Sequence, residues 1–262
     1  MPTFVTHDAT TSYATCGLTR EGAPLQVVWA HGWGQDHRVF LGLVRGLEQR
    51  AAHTLIDFPG FGESPPPPAV WGTADYADAV ASWLSTVPHA PRLWIGHSFG
   101  CRVGLQLAAR HPHLLDGLFL IAAAGLRPVR TPVERLTIAT KVALYKLLKT
   151  LDRFGLNVAA FKDRLGSADY RSAGPMRPVL VKVVREDLTD VARAVRCPVC
   201  LVYGALDTQT PPALGKRLVS LLADAHLQVL PRLDHDTILT AGSHQVQFQL
   251  AQFMTRVARE PV

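Results

Sequence analysis

The residues most suited to covalent chemistry lie at positions 96–100, which read G-H-S-F-G. They fit the pattern G-x-S-x-G, in which a serine stands at a sharp turn between a strand and a helix. A short apolar run at 93–95 precedes the pattern, and apolar residues with helical spacing follow it at 103–108. Glycines on both sides of the serine allow the strand and the helix to pack closely. The sequence therefore predicts that Ser98 is a nucleophile whose hydroxyl lies exposed above a sheet.

A serine hydroxyl is a weak nucleophile, so it needs a nearby histidine base and a carboxylate that orients the histidine. The expected chain order places the carboxylate after the serine and before the histidine. Asp207 follows an apolar run at 199–203, at the strand end where ligands meet an open sheet. The other expected acid position, after the run that ends at 122–124, holds no carboxylate. Asp207 is therefore the predicted acid, with a turn-forming aspartate as the alternative interpretation.

His235 is the predicted base because it lies in the loop between the last strand pattern and the last helical pattern. Two other histidines are rivals. His226 begins a strand, at the wrong end of the sheet, and His244 falls at the start of the last helix. Asp234 and Asp236 flank the predicted base, but adjacent residues seldom point the same way, so neither is assigned as the acid.

Acyl transfer also needs hydrogen-bond donors for the oxyanion that develops in the transition state. The backbone amide of Phe99, directly after the nucleophile, is one predicted donor. The second donor is expected from the loop at 31–34, which reads H-G-W-G, and the amide of Trp33 is the candidate. Trp33 is also a candidate for substrate binding in the acyl pocket, while His31 is expected to form hydrogen bonds within the loop.

Apolar runs that alternate with helical patterns indicate an α/β fold. Continuous apolar runs are typical of strands buried on both faces of a parallel sheet, and they lie at 26–30, 54–56, 93–95, 117–124, 199–203 and 227–230. Apolar residues with helical spacing lie at 80–87 and 246–257. The chain is therefore predicted to form a mostly parallel, doubly wound sheet with helices on both sides.

One internal stretch, residues 126–189, breaks this alternation. It contains helical segments such as 133–151 but no good strand pattern. It is therefore predicted to be a helical insertion between two strands of the sheet. Residues 1–125 and 190–262 are predicted to form the core domain.

The charge of the chain is uneven. The 262 residues have a net charge of +6, yet residues 126–196 carry 15 Lys and Arg against 7 Asp and Glu, and the rest of the chain is net negative. These basic residues are interspersed rather than clustered in a run, so no nucleic-acid-binding arm is predicted. Two interpretations stay open: a solvated helical surface, or a basic face that attracts an anionic substrate, an acidic carrier protein or an anionic membrane.

Several observations bear on the compartment and on membrane insertion. No run of 18 apolar residues exists, which argues against a membrane span, and the first residues lack the pattern of a secretory signal. Four cysteines are too few for a disulfide scaffold in a chain of this size. The C-x-x-C at 197–200 leads into a strand, where positions three apart face opposite ways, so no redox or metal role is predicted. A cytoplasmic protein is the simplest expectation.

The segments at 31–34, 57–64, 96–100, 203–207 and 234–236 resemble, in order and spacing, those of the α/β-hydrolase superfamily. The first two, HGWG and DFPGFGES, are most similar to the pimeloyl-ACP methyl ester esterase type. The resemblance covers about residues 25–125 and 195–262, and the stretch between them is similar in being helical and in lying where the family has its lid. One departure precedes the predicted base, where the chain has Arg232, Leu233 and Asp234 and relatives often have glycine.

The resemblance implies a serine hydrolase of carboxylic esters that needs no metal and no cofactor. The implied substrate is a small-molecule ester, either anionic or carrier-linked in one interpretation of the basic stretch. Two alternatives stay open: hydrolysis of a C–C bond in ring-cleavage-type keto acids, and a non-catalytic ligand receptor with the same fold. The C–C hydrolases usually carry a proline in the oxyanion loop, where this chain has Gln35 and Asp36.

Overall fold

The computed structural model describes residues 1–88, 90–127 and 173–259, together with Thr140 and Ala143. Eight strands in these ranges form one sheet in the order β1-β2-β4-β3-β5-β6-β7-β8. The strands are β1 (Thr3–Thr6), β2 (Ala9–Gly17), β3 (Gln26–Ala30), β4 (Ala52–Asp57), β5 (Arg92–His97), β6 (Gly117–Ile121), β7 (Val199–Gly204) and β8 (Ala225–Leu230).

The sheet is mostly parallel. Strands β3 to β8 pair in parallel with their neighbours, whereas β1 and β2 form an antiparallel hairpin at one edge that joins β4. Every residue of β3 to β7 is buried, as expected for strands covered on both faces. The predicted fold class, a mostly parallel α/β sheet, is confirmed.

Helices cover both faces of the sheet, and on each face an apolar core lies between the sheet and the helices. The described helices are α1 (Leu41–Val44), α2 (Thr73–Leu84), α3 (Phe99–Arg110), α4 (Arg177–Arg185), α5 (Thr189–Ala194), α6 (Pro212–Val219) and α7 (Ser243–Arg259). Successive side chains of a strand enter opposite cores: Val27 packs on the side of α1 and α7, and Val28 on the side of α2 and α3. Within the described ranges, no helix has the length and apolar character needed to cross a bilayer.

Two features of the sheet differ from the sequence expectations. The run at 117–124 was expected to be one strand, but β6 ends at Ile121 because Ala122 has a φ of +50°, which extended strands do not adopt. The hairpin of β1 and β2 was not predicted, because β2 is rich in polar residues and lacks a continuous apolar run.

The predicted helical insertion lies only partly within the described residues. Of positions 126–189, the structure describes Leu126, Arg127, Thr140, Ala143 and 173–189. Helix α4 lies in this stretch. The predicted helical segment at 133–151 falls outside the described residues, apart from Ala143 and Thr140, so the lid stays a prediction.

Candidate active site

Ser98 lies at the turn between β5 and α3. Its φ is +47°, a strained value for a residue with a side chain. The turn is tight because a Cβ at Gly96 would lie 2.7 Å from the backbone nitrogen of Cys101, and a Cβ at Gly100 would overlap the carbonyl of Ala30. Strand, turn and helix therefore approach so closely that only glycine fits on both sides of the serine.

His235 and Asp207 form a buried hydrogen-bonded pair. Asp207 follows β7 and His235 follows β8, and these two strands are parallel neighbours, so both loops lie at the same edge of the sheet. The Nδ1 atom of His235 lies 2.8 Å from Oδ2 of Asp207, and the residues are only 7% and 3% exposed. Burial raises the pKa of Asp207, but the hydrogen bonds from His235 and Thr210 outweigh it and hold that pKa below its usual value. The acid is therefore kept ionised and holds the imidazole in one orientation.

Thr210 is a third member of this group, and the sequence analysis did not identify it. Its backbone amide donates to Oδ1 of Asp207 at 2.8 Å. Its hydroxyl lies 2.8 Å from Oδ2 of Asp207, 3.0 Å from the carbonyl oxygen of Ala122 and 3.2 Å from Nδ1 of His235. The threonine thus contacts both the predicted acid and the predicted base.

The rival residues lie away from this pair. Asp234 is exposed, and its carboxylate accepts hydrogen bonds from the backbone amides of Asp236 and Thr237. His226 lies in β8 and His244 near the start of α7, and both are exposed. The structure therefore brings none of these into hydrogen-bond contact with Asp207.

The amides of Trp33 and Phe99 are both available to a ligand. Neither donates a hydrogen bond to any residue in the described part of the chain. The loop that carries Trp33 is docked on the turn, because the amide of Gly100 donates to the carbonyl oxygen of His31 at 3.0 Å. The ring centroids of Trp33 and Phe99 lie 5.7 Å apart in an edge-to-face arrangement, so the two side chains are in contact beside Ser98.

His31 fixes the Trp33 loop to the end of β4. Its Nε2 accepts from the amide of Phe58 at 3.0 Å, so the proton is on Nδ1, which donates to the carbonyl oxygen of Gly32 at 2.7 Å. Burial lowers the pKa of His31 to about 4, which keeps the ring neutral at neutral pH. The expected structural role of His31 within its loop agrees with these contacts.

His97 connects three loops around Ser98, and it was not identified from the sequence. Its Nδ1 lies 2.9 Å from Oε1 of Gln35, and its Nε2 lies 3.1 Å from the carbonyl oxygen of His235. Gln35 in turn accepts from the amide of Gly32 at 2.9 Å. Burial lowers the pKa of His97 to about 3, so the neutral ring donates its single proton to one of the two oxygens at a time.

A cavity of about 190 Å³ brings the predicted site residues together. It is lined by Trp33, Ser98, Phe99, Arg102, Ala124, Leu180, Val183, Val184, Gln209, Thr210 and His235. The nucleophile, the base and both oxyanion candidates thus share one cavity, with Asp207 behind the base. An apolar wall and a few convergent polar groups are typical of a site for a small organic molecule.

One group of side chains could hold a metal ion by distance alone. The ligand atoms of Asp36, His37 and Asp57 all lie within 4.8 Å of one another. Both carboxylates already accept hydrogen bonds from the protein, Asp36 from Arg38 and Asp57 from His37. None of these residues lines the cavity of Ser98.

Four residues of the site went unidentified in the sequence: Gln35, His97, Arg102 and Thr210. Thr210 stands three residues after Asp207, and Gln35 stands three residues after Gly32. This is a spacing at which a side chain and a backbone amide can form a hydrogen bond within a turn. Arg102 interrupts the apolar spacing of α3 one turn after Ser98. These spacings were available in the sequence, but the direction of each side chain was not.

Comparisons with known proteins identify the family and support the fold. A family model for the alpha/beta hydrolase fold matches residues 27–182. A pimeloyl-(acyl-carrier protein) methyl ester esterase of Chromobacterium violaceum is 30% identical over 238 residues, covering 85% of this chain and 90% of the relative. An esterase of the same name from Aeromonas hydrophila is 27% identical over 253 residues, covering 88% and 95%.

A solved structure has the same fold. The enol-lactonase of Burkholderia xenovorans LB400 superposes with a TM-score of 0.73 at 20% sequence identity, covering 97% of this chain and all of that chain. At this level of identity the similarity shows a shared fold and leaves the activity to be argued from the site.

Proposed function

We propose that this chain, which belongs to the alpha/beta hydrolase fold family, is an enzyme that hydrolyses carboxylic esters through an acyl-enzyme on Ser98. The supporting observation is the cavity that Ser98, His235, Trp33 and Phe99 line together, with Asp207 hydrogen-bonded to the base. Such a constellation supplies a nucleophile, a base and oxyanion donors within one small space.

In the first half of the proposed reaction, Nε2 of His235 takes the proton of the Ser98 hydroxyl as the oxygen attacks the ester carbonyl carbon. The amides of Trp33 and Phe99 donate to the oxyanion of the tetrahedral intermediate. The imidazolium is stabilised by Asp207 and then gives its proton to the alcohol oxygen. The bond between the carbonyl carbon and that oxygen breaks, and the acyl group stays on Ser98.

In the second half, a water molecule attacks the acyl-enzyme and His235 accepts its proton. The second tetrahedral intermediate collapses when the bond to the Ser98 oxygen breaks and His235 returns the proton to that oxygen. The products are a carboxylic acid and an alcohol, and the enzyme returns to its starting state.

The substrate class follows from the relatives and from the described wall of the cavity. The relatives named above are methyl ester esterases of a carrier-linked acyl chain, so esters of small alcohols are the first class to test. The proposed lid, residues 126–189, is supported by Leu180, Val183 and Val184 of α4, which line the same cavity as Ser98. Replacing this stretch is therefore expected to change substrate preference.

The test is hydrolysis of p-nitrophenyl butyrate by the wild type and by Ser98→Ala. We expect kcat/KM to fall at least about 10⁴-fold, since the nucleophile acts as a unit with its base. Ser220→Ala, which removes an exposed serine hydroxyl at the end of α6, is the matched control and should keep wild-type activity. Activity of Ser98→Ala close to that of the wild type would remove Ser98 from the reaction.

Two further measurements separate the alternatives. Cleavage of a dienoate keto acid without any hydrolysis of simple esters would favour the C–C hydrolase. Labelling of Ser98 by a fluorophosphonate probe without turnover of either substrate class would favour a receptor.

A further inference from the structure

Arg102 places a positive charge at the wall of the reactive cavity. It lies in α3 four residues after Ser98, which is about one helical turn and about 6 Å along the helix axis. It lines the cavity that Ser98 and His235 also line. A substrate held in this cavity with its ester carbonyl at Ser98 would therefore also meet the side chain of Arg102.

The guanidinium of Arg102 has few partners within the protein. It is half-buried, and its Nη1 donates to the carbonyl oxygen of Val183 at 3.1 Å. No carboxylate of the described residues lies within ion-pair distance of it. An arginine has five N–H donors, and the described residues accept a hydrogen bond from only one nitrogen of Arg102.

The nearby acidic residues do not neutralise this charge by contact. The Glu186 carboxylate accepts from the amide and the hydroxyl of Thr73. Burial lowers the pKa of Arg102, and the charges of Glu186 and Asp187 oppose that effect from a distance. The guanidinium stays protonated, the described residues pair it with no anion, and an anion bound there would stabilise a partly desolvated cation.

We propose, on the basis of the ester hydrolase function above, that Arg102 binds an anionic oxygen group of the substrate. The enzyme therefore prefers esters that carry a carboxylate or a phosphate a few bonds from the scissile carbonyl. The cavity of about 190 Å³ has the volume of about six water molecules, which fits a short chain. A planar guanidinium is suited to bidentate binding of either anion.

A matched pair of esters tests this preference. Monomethyl glutarate carries a carboxylate, and methyl 5-methylhexanoate replaces that carboxylate with a neutral isopropyl group of similar shape. In monomethyl glutarate the carboxylate belongs to the acyl group, and in 4-acetoxybutanoate it belongs to the alcohol. Comparison of these two substrates shows which part of the ester carries the anion that Arg102 binds. Methyl and acetyl ester hydrolysis is followed by the acid released at constant pH.

We expect Arg102→Gln to lower kcat/KM for the preferred anionic ester about 10- to 100-fold. This factor corresponds to the free energy that a charge-assisted hydrogen bond contributes to binding. The variant's loss of kcat/KM for methyl 5-methylhexanoate should be clearly smaller, so that the ratio of the two kcat/KM values falls. Arg102→Lys should restore part of the preference because it keeps the charge and loses the planar fork. Arg185→Gln removes an exposed positive charge from α4 and should leave the preference unchanged.

The outcomes separate this inference from the proposed function. If Arg102→Gln lowers kcat/KM equally for the anionic and the neutral ester, Arg102 has a structural role. That result would overturn this inference and leave the proposed function intact. Loss in Arg185→Gln equal to that in Arg102→Gln would assign the preference to the general surface charge. No hydrolysis of any ester by the wild type would overturn the proposed function instead.

A measurement on the wild type covers the case in which Arg102→Gln does not fold. Glutarate should inhibit hydrolysis of methyl 5-methylhexanoate competitively, and the neutral diamide of glutaric acid should inhibit at least about 10-fold more weakly. Equal inhibition by the two compounds would contradict anion binding in the cavity.

Discussion

At the scale of single residues, the hydroxyl of Thr210 has one proton and three polar neighbours. When it donates to Asp207 or to the carbonyl of Ala122, its oxygen can also accept from Nδ1 of His235. In each arrangement the hydroxyl limits the rotation of the imidazole. Thr210 is therefore a positioning residue for the proposed base, and it acts through His235 rather than on the substrate.

We expect Thr210→Val to lower kcat about 5- to 10-fold with little change in KM, because the imidazole loses one of its two side-chain contacts while the cavity keeps its shape. Thr210→Ser keeps the hydroxyl and should retain most of kcat. Steady-state hydrolysis of p-nitrophenyl butyrate at several pH values measures both constants. Wild-type kcat in the valine variant together with a loss of kcat in the serine variant would show that the threonine methyl, and not the hydroxyl, matters.

The sequence could restrict the candidates for the proposed acid and base to Asp207 and His235, because chain order and place after apolar runs left few residues to choose from. Asp207 and His235 are hydrogen-bonded in the structure, as that choice requires. Arg102 and His97 could not be predicted in the same way. Their contacts depend on where a side chain points from a turn or a helix, and periodicity in one sequence does not contain that direction.

At the scale of the elements, strands buried on both faces were predicted within about three residues at each end. Continuous apolar runs identify such strands because neither face can carry polar groups, as in β3 and β7. The hairpin of β1 and β2 could not be found by the same signal, since an edge hairpin tolerates polar residues. The end of β6 depends on the left-handed backbone of Ala122, which the apolar pattern does not indicate.

Arg232 shows a backbone conflict in the loop between β8 and the proposed base. Its φ is +61°, and its side chain is exposed. The left-handed conformation costs a residue with a Cβ about 1 kcal/mol relative to glycine. Arg232 is the first residue of the stretch 232–234, which departs from relatives that often have glycine, and its backbone conformation is one that favours glycine.

We expect Arg232→Gly to raise the unfolding free energy by about 0.5 to 1 kcal/mol, since it removes this strain. Urea unfolding followed by circular dichroism measures the change. Arg193→Gly makes the same substitution in the exposed part of helix α5 and should lower stability by about 1 kcal/mol. A loss of stability in both variants would show that the loop does not favour glycine.

At the scale of the whole molecule, buried histidines whose pKa is lowered by burial link stability to pH. The pKa of His31 is lowered to about 4 and that of His97 to about 3, from an ordinary value of 6.5, mainly by burial. Between pH 6.5 and 4 the unfolded chain therefore binds more protons than the folded chain. Stability is fully present above pH 6.5 and falls as the pH decreases, by up to about 1.4 kcal/mol per pH unit for each histidine.

We expect the unfolding free energy of the wild type, measured in urea, to fall between pH 6.5 and 4.5. His97→Gln cannot take up a proton, so its stability should fall less steeply over this range, whatever its stability at pH 7. His113→Gln replaces an exposed histidine and should keep the wild-type slope. The same slope in all three proteins would mean that His97 is not held neutral by the fold.

The hydrogen bonds from Gly32 through Gln35 and His97 to His235 also limit how this molecule can be altered. They join loops that begin at three different strands, β3, β5 and β8. A loop transplanted from a relative at one of these strands alone would leave its former partners in the other two with broken contacts. Exchange of substrate preference by grafting is therefore expected to succeed only when the three loops are transferred as a set, or when Gln35 and His97 are kept in the graft.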